Sequence, residues 1–136
     1  MTEKPVAVVA GVGSGTGEAL VRRFVEGGYR VAMIARKEER LARIAGDVPD
    51  AISYPCDMAD IEGFRATLNR IKQEMGHPKV AMHNGAKAVR EHYTKINPLE
   101  FESTFRVNTT ALLVLAQELC PDMVEMGECA LLVTGN

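Results

Sequence analysis

The chain is 136 residues long, with 46% hydrophobic and 25% charged residues and a formal net charge of -2. That length suits a single domain, spanning 1–136, with its own hydrophobic core, and the composition excludes disordered, collagen-like and fibrous classes. So balanced a charge creates no overall field to attract nucleic acid or an anionic membrane, so neither is expected as a partner and any anion must be bound locally.

The strand and helix signals alternate along the chain. Val6 to Ala10 is a continuous apolar run closed by a glycine cluster, the mark of a strand buried on both faces. Ala19, Leu20, Phe24 and Val25 follow at helical spacing until Gly27 and Gly28 stop them. Val31 to Ala35 repeats the buried-strand signal, Leu41 and Ile44 mark a second helix, and Ala51 to Tyr54 is a third strand that Pro55 should end. Asp60 can cap a helix in which Ile61, Phe64, Leu68, Ile71 and Met75 share one face, broken by Gly76 and Pro78. Val80 to Met82 is a fourth strand. Asn97 and Pro98 form a cap and first position that open a long helix to about Leu119, and Cys129 to Thr134 is a fifth strand. Right-handed crossovers turn this alternation into a parallel sheet with helices on both faces, an α/β doubly wound fold.

Cys56, Cys120 and Cys129 are an odd set with no C-x-x-C, which suggests neither a disulfide framework nor a zinc ribbon and fits a reducing cytoplasm. His77, His83 and His92 lack paired ligand spacing, so no metal site is expected. No charged segment leading into an apolar one opens the chain, and no run approaches the roughly 18 apolar residues of a bilayer span, so neither secretion nor membrane insertion is expected.

From Ala10 to Gly17 the chain reads Ala-Gly-Val-Gly-Ser-Gly-Thr-Gly, between the first strand and the first helix. Backbone N–H groups at such a helix start can hold a pyrophosphate, and glycines at Gly11, Gly13, Gly15 and Gly17, with Ser14 and Thr16 between them, let a ligand approach the backbone. A purely steric strand-to-helix turn uses glycine as well. The G-x-G-x-x-G spacing fails because position 16 is Thr, and the phosphate P-loop fails for want of its Gly-Lys pair. The spacing that fits is G-x-x-x-G-x-G on Gly11, Gly15 and Gly17.

Four further segments extend that match in order: Cys56-Asp57-Met58 after the third strand, His83-Asn84-Gly85-Ala86 at the end of the fourth, Val107-Asn108 in the long helix, and Cys120-Pro121 with Met123 beyond it. With the glycine loop they cover nearly the whole chain, which resembles the short-chain dehydrogenase/reductase family. Ala10 stands where that family has Thr. His83 replaces the first Asn of its Asn-Asn-Ala-Gly segment, and Gly85 and Ala86 are exchanged. The resemblance implies a Rossmann-type sheet of order 3-2-1-4-5, a nicotinamide dinucleotide held by the glycine loop, an adenine contact from Asp57 and Met58, further contacts from Asn84, Gly85 and Ala86, and a catalytic role for Asn108 beside a water and a lysine.

The end of the second strand addresses the choice of cofactor. An acid there bonds the ribose hydroxyls of NAD, whereas a cation takes the 2′-phosphate of NADP. This chain has Arg36 and Lys37 and no acid, which favours NADP(H) over NAD(H). The alternative is that these cations, with Arg40 and Arg43, form the solvated face of a helix interleaved with Glu38 and Glu39, and Arg40 and Arg43 are expected to be only that. Asn108 falls on the apolar stripe of Phe101, Phe105, Leu112, Leu115 and Leu119, so a buried amide is expected, bonded either to a water or ligand site or to a neighbouring strand's backbone.

In the resembled family a Tyr-x-x-x-Lys pair supplies the proton and a Ser follows the fifth strand. No Tyr-x-x-x-Lys occurs here, and the Ser position falls at Asn136 or Gly135. The expectation is therefore the cofactor-binding half of an oxidoreductase acting on a small carbonyl or alcohol, truncated before its catalytic helix and inactive alone. Its apolar fifth strand would become a sheet edge, which invites a homo-oligomer. Two rivals remain: a non-catalytic NADP(H)-binding or sensor module, and a methyltransferase whose Gly-x-Gly-x-Gly motif the loop also resembles. The methyltransferase motif would want an acid at Gly11 and another near Arg36, and neither is present.

Overall fold

A computed structural model describes residues 3–135. Five parallel strands form one sheet in the order β3-β2-β1-β4-β5, comprising β1 (Val6–Ala10), β2 (Arg30–Ala35), β3 (Ala51–Pro55), β4 (Val80–His83) and β5 (Ala130–Val133). The predicted class and strand order are both present. β1 is central, pairing with β2 from Val6 opposite Arg30 and with β4 from Ala7 opposite Val80. It is wholly buried, as its uninterrupted apolar run requires when both faces are covered.

The helices α1 (Thr16–Glu26), α2 (Glu38–Asp47), α3 (Ile61–Met75), α4 (Pro98–Phe105) and α5 (Ala111–Met126) connect the strands. On one face of the sheet, Val21, Leu41 and Ile44 pack on Ala7, Val9, Val31 and Met33. On the other, Phe64, Leu68, Ile71, Leu115 and Leu119 pack on Val8, Ala32 and Ile34. Alternate β1 side chains thus feed opposite layers, and each large aliphatic or aromatic anchor contributes about 1.5–3 kcal/mol. Asp60 caps α3, its Oδ1 accepting from Gly63 N at 3.1 Å.

Four expectations change. In α1 the buried anchor is Val21, while Ala19 faces solvent and Leu20, Phe24 and Val25 are half-buried. Pro55 ends β3 from within, as its last residue paired opposite Ala35, rather than lying just beyond the strand. An outer strand tolerates a residue without an N–H on its free side. The long helix continues past Leu119 to Met126 with Pro121 inside it. Pro121 removes the N–H that would reach the Gln117 carbonyl, Lys72 Nζ bonds the adjacent Glu118 carbonyl at 2.9 Å, and Met123 is buried, so packing outweighs the lost bond.

The fourth change bears on the site. The helix opening at Asn97 is not continuous: a π-turn over Arg106–Thr110 separates α4 from α5. One extra residue in a helical turn rotates everything beyond it by about 100°. The stripe that looks continuous in the sequence is therefore split. Leu115 and Leu119 are buried, while Phe101 and Phe105 are half exposed and stack edge-on against each other, and Asn108 is exposed rather than buried.

Candidate functional site

β1 has β2 on one side and β4 on the other, so the chain connections leave it in opposite directions and a crevice opens beyond the strand ends. A cleft of about 1240 Å³ lies there. Its walls come from the glycine loop, the residues after β2, β3 and β4, the π-turn and the end of β5.

The four loop glycines do different work. Gly11 has φ +109°, and a Cβ on it would collide with the backbone of Gly85. Its N–H and that of Val12 both donate to the Ile34 carbonyl, at 2.9 and 3.1 Å, which fastens the loop to β2. A Cβ on Gly17 would stand 2.5 Å from Gly11 O and 2.8 Å from Val12 Cα. The chain itself therefore demands these two glycines. At Gly13 and Gly15 a Cβ would meet nothing within 4 Å, so the protein's own packing leaves that space open. No side chain caps the first turn of α1, whose N–H groups are left to the loop and to whatever sits above it.

Asn84 stitches the centre together. Its Nδ2 donates to Gly11 O at 2.8 Å, and its Oδ1 accepts from Thr134 Oγ1 at 2.7 Å, while Thr134 N donates to His83 O at 3.0 Å. The ends of β1, β4 and β5 are thereby held in fixed register around the cleft. Asp57 accepts from Ala59 N at 2.9 Å through Oδ1, a local turn that shapes the chain after β3. Met58 is buried, and its thioether fills the space a Cβ on Gly85 would need. Cys56 also lines the cleft, and burial pushes its thiol above the ordinary range, which argues against a reactive thiolate.

At one end the wall carries Arg36, Lys37 and Arg40. None of the three makes an ion pair among the described residues, although Glu38 and Glu39 lie between them in sequence. Arg43, by contrast, pairs with Glu18 at 2.7 Å and is a solvated helix-face cation. The expectation that Arg40 is one too does not hold, since it lies on the cleft wall and is half-buried.

At the other end Asn108 is clamped to the loop after β4. It accepts from Lys87 N through Oδ1 at 2.9 Å and donates from Nδ2 to Lys87 O at 2.7 Å. The amide's partner is thus the backbone of a loop, not that of a strand. Lys87 Nζ in turn bonds Ser103 Oγ at 2.9 Å and lies 3.3 Å from Glu100, fixing the loop to α4.

Of the residues singled out in the sequence, Gly11, Gly13, Thr16, Gly17, Arg36, Lys37, Asp57, Met58, Asn84, Gly85, Ala86 and Asn108 come together around this one cleft. Ser14 and Gly15 stand exposed at the loop crest and do not line it. Gly135 lines the mouth, and Asn136 lies outside the described residues. Thr134 and Lys87 were not signalled, because their roles arise from pairing across strands and loops distant in sequence. Among the described residues there is no cluster of potential metal ligands and no helix long and apolar enough to cross a membrane.

A family model described as short chain dehydrogenase matches residues 5–134. A 3alpha-hydroxysteroid dehydrogenase of Mediterraneibacter gnavus is 26% identical over 143 aligned residues, covering all of this chain and 57% of that protein. L-Sorbose reductase from Gluconobacter frateurii, solved with NADPH and L-sorbose, superposes with TM-score 0.88 at 23% identity, over 96% of this chain and 52% of that one. The 3-ketoacyl-(acyl-carrier-protein) reductase of Brucella melitensis, solved with NADH, gives 0.85 at 24%, over 96% and 57%. The chain spans about half the length of these relatives. With the glycine loop, the parallel sheet and the family match all coinciding over the same residues, this chain belongs to the short-chain dehydrogenase family of oxidoreductases.

Proposed function

We propose that the cleft binds a nicotinamide dinucleotide, NADP(H) in preference to NAD(H), and that the protein to which this chain contributes transfers hydride between that cofactor and a small carbonyl or alcohol. The observation that carries the reading is the pair Arg36 and Lys37, set without counter-ions among the described residues after β2, in the cleft that the glycine loop also lines. The open space at Gly13 and Gly15 suits a pyrophosphate against the start of α1, where N–H groups and the helix dipole favour negative charge. Asp57 and Met58 flank the adenine end of the same reading, and Asn84, Gly85 and Ala86 form its floor. The dinucleotide, when bound, supplies the hydride.

What the chain's own residues supply is position. Gly11 and Gly17 keep the loop tight against β4, and Asn84 locks it there. Asn108 spends both ends of its amide on Lys87, so it holds the wall of the reacting end in place. Arg36 discriminates: a charge-assisted bond to a phosphate is worth roughly 1.5–3 kcal/mol, about ten- to a hundredfold in affinity. A sulfonium cosubstrate lacks phosphates and wants a ribose-binding carboxylate where Arg36 stands, which disfavours the methyltransferase reading. Self-association is part of the proposal, through the exposed Phe101 and Phe105 of α4.

Calorimetric titration of the chain with NADPH, NADH and S-adenosylmethionine tests this. NADPH should bind at least tenfold more tightly than NADH, and Arg36→Ala should erase most of that gap while changing NADH affinity less than threefold. Equal affinity for the two dinucleotides in the wild-type chain would refute the preference, and binding of S-adenosylmethionine alone would refute the whole assignment.

A further inference from the structure

His83 closes β4 at the floor of the cleft, where its side chain is buried, 2% exposed. Its Nε2 lies 2.9 Å from the carbonyl oxygen of Val107. A carbonyl can only accept, so Nε2 carries a proton. Among the described residues Nδ1 has no hydrogen-bond partner, so the Val107 contact is the ring's one polar anchor there.

Val107 lies inside the π-turn, immediately before Asn108. There the Ala111 N–H reaches back to the Arg106 carbonyl, a register rarer than the α-helical one and often found where a helix serves a site. Two supports reach this turn from outside the helix. One is the reciprocal pair between Asn108 and Lys87. The other is the bond from His83, which comes from the sheet itself and so ties the turn to the rigid centre of the fold.

We propose that His83 is a positioning residue: its Nε2–H holds the Val107 carbonyl, and with it the π-turn, in the place that presents Asn108 to the cleft. The hydrogen-bond route from glycine loop to reacting end is then continuous. Asn84 links Gly11 to Thr134, Thr134 N bonds His83 O, and the His83 ring bonds Val107 beside Asn108. The value of this arrangement for chemistry rests on the dinucleotide reading above, while the positional claim does not.

Two measurements on the full chain test it. Nitrogen-15 spectra of the histidine rings near neutral pH, with His83 identified by its loss in a variant, should show the Nε2–H tautomer; an Nδ1–H ring overturns the proposal. The second compares His83→Phe, which keeps the ring volume and removes the donor, with His83→Gln, which keeps an amide donor. Solvent exchange of the Asn108 side-chain amide should quicken about tenfold in the Phe variant, the worth of one hydrogen bond, and return to within threefold of wild type in the Gln variant. A Phe variant that exchanges as slowly as wild type shows that the ring only fills space and sinks the idea. If the Phe variant fails to fold, the tautomer decides. NADPH titration of the same samples separates the two claims: a wild-type chain that ignores NADPH defeats the dinucleotide reading and leaves the His83 result standing.

Discussion

Glycine performs two distinct tasks within seven residues of this chain. Gly11 and Gly17 are needed by the protein's own backbone packing, whereas Gly13 faces open space on the cleft wall. Gly17→Ala should therefore destabilise the fold, by about 1–3 kcal/mol for an overpacked contact against backbone atoms that cannot yield. Gly13→Ala should melt within a degree or so of wild type yet bind NADPH at least tenfold more weakly, because the added methyl projects where the ligand would lie. Thermal unfolding beside calorimetric titration checks both. The spacing in the sequence marks these residues as a set. It does not separate those the fold requires from those a ligand requires, because that division depends on β4 lying against the loop, more than 70 residues further along by the Asn84–Gly11 bond.

Among the elements, α3 behaves as its sequence leads one to expect. Its cap, apolar face and stop are all local, and Phe64, Leu68, Ile71 and Met75 are buried while Asp60 bonds the Gly63 N–H. Asp60→Ala should cost about 1 kcal/mol, the usual worth of such a cap, and lower the melting temperature by roughly 3–5 °C, with Asp60→Asn losing much less. The helix after Asn97 behaves otherwise. Its residue spacing describes one unbroken apolar stripe, and the π-turn at Arg106–Thr110 breaks the phase between Phe105 and Leu112. The turn is held by His83 and Lys87, neither of them local to it. A periodicity argument assumes a constant number of residues per turn and has no means of detecting a single exception imposed from elsewhere.

Across the whole molecule, β3 and α3 and then α3 and α5 are joined by polar contacts laid over the apolar layer. Arg65 bonds Glu118 at 2.6 Å, and Lys72 lies 3.5 Å from Asp122. Tyr54, buried in the outer strand β3, donates to Glu74 at 3.0 Å with the Arg70 guanidinium 5.0 Å from its ring centre. Burial first, and the bond to Glu74 second, push its phenol up to about 12. A folded-state value above the ordinary one of about 10 means that the unfolded chain gives up the proton first. The stabilisation is therefore complete below pH ~10 and is lost as the pH rises towards about 12. Urea unfolding followed across that range should show the loss. Tyr54→Phe should remove this component, and an unchanged alkaline profile in that variant would assign the loss to other groups.

Local pattern sufficed for the order of the strands and of α1 to α3, the parallel sheet, the glycine loop and the cations after β2. Each of these follows from residues that are neighbours in the chain: apolar runs, caps, turn residues and the chirality of crossovers. The remaining features were settled by distant segments meeting in space. Thr134 donates to Asn84, Arg40 reaches the cleft wall while Arg43 is drawn to Glu18, and the His83 ring meets a carbonyl inside a shifted helical turn. A hydrogen bond or ion pair is decided by ångström-scale distances between groups dozens of positions apart. Those distances exist only once the hydrophobic layers have closed around the sheet.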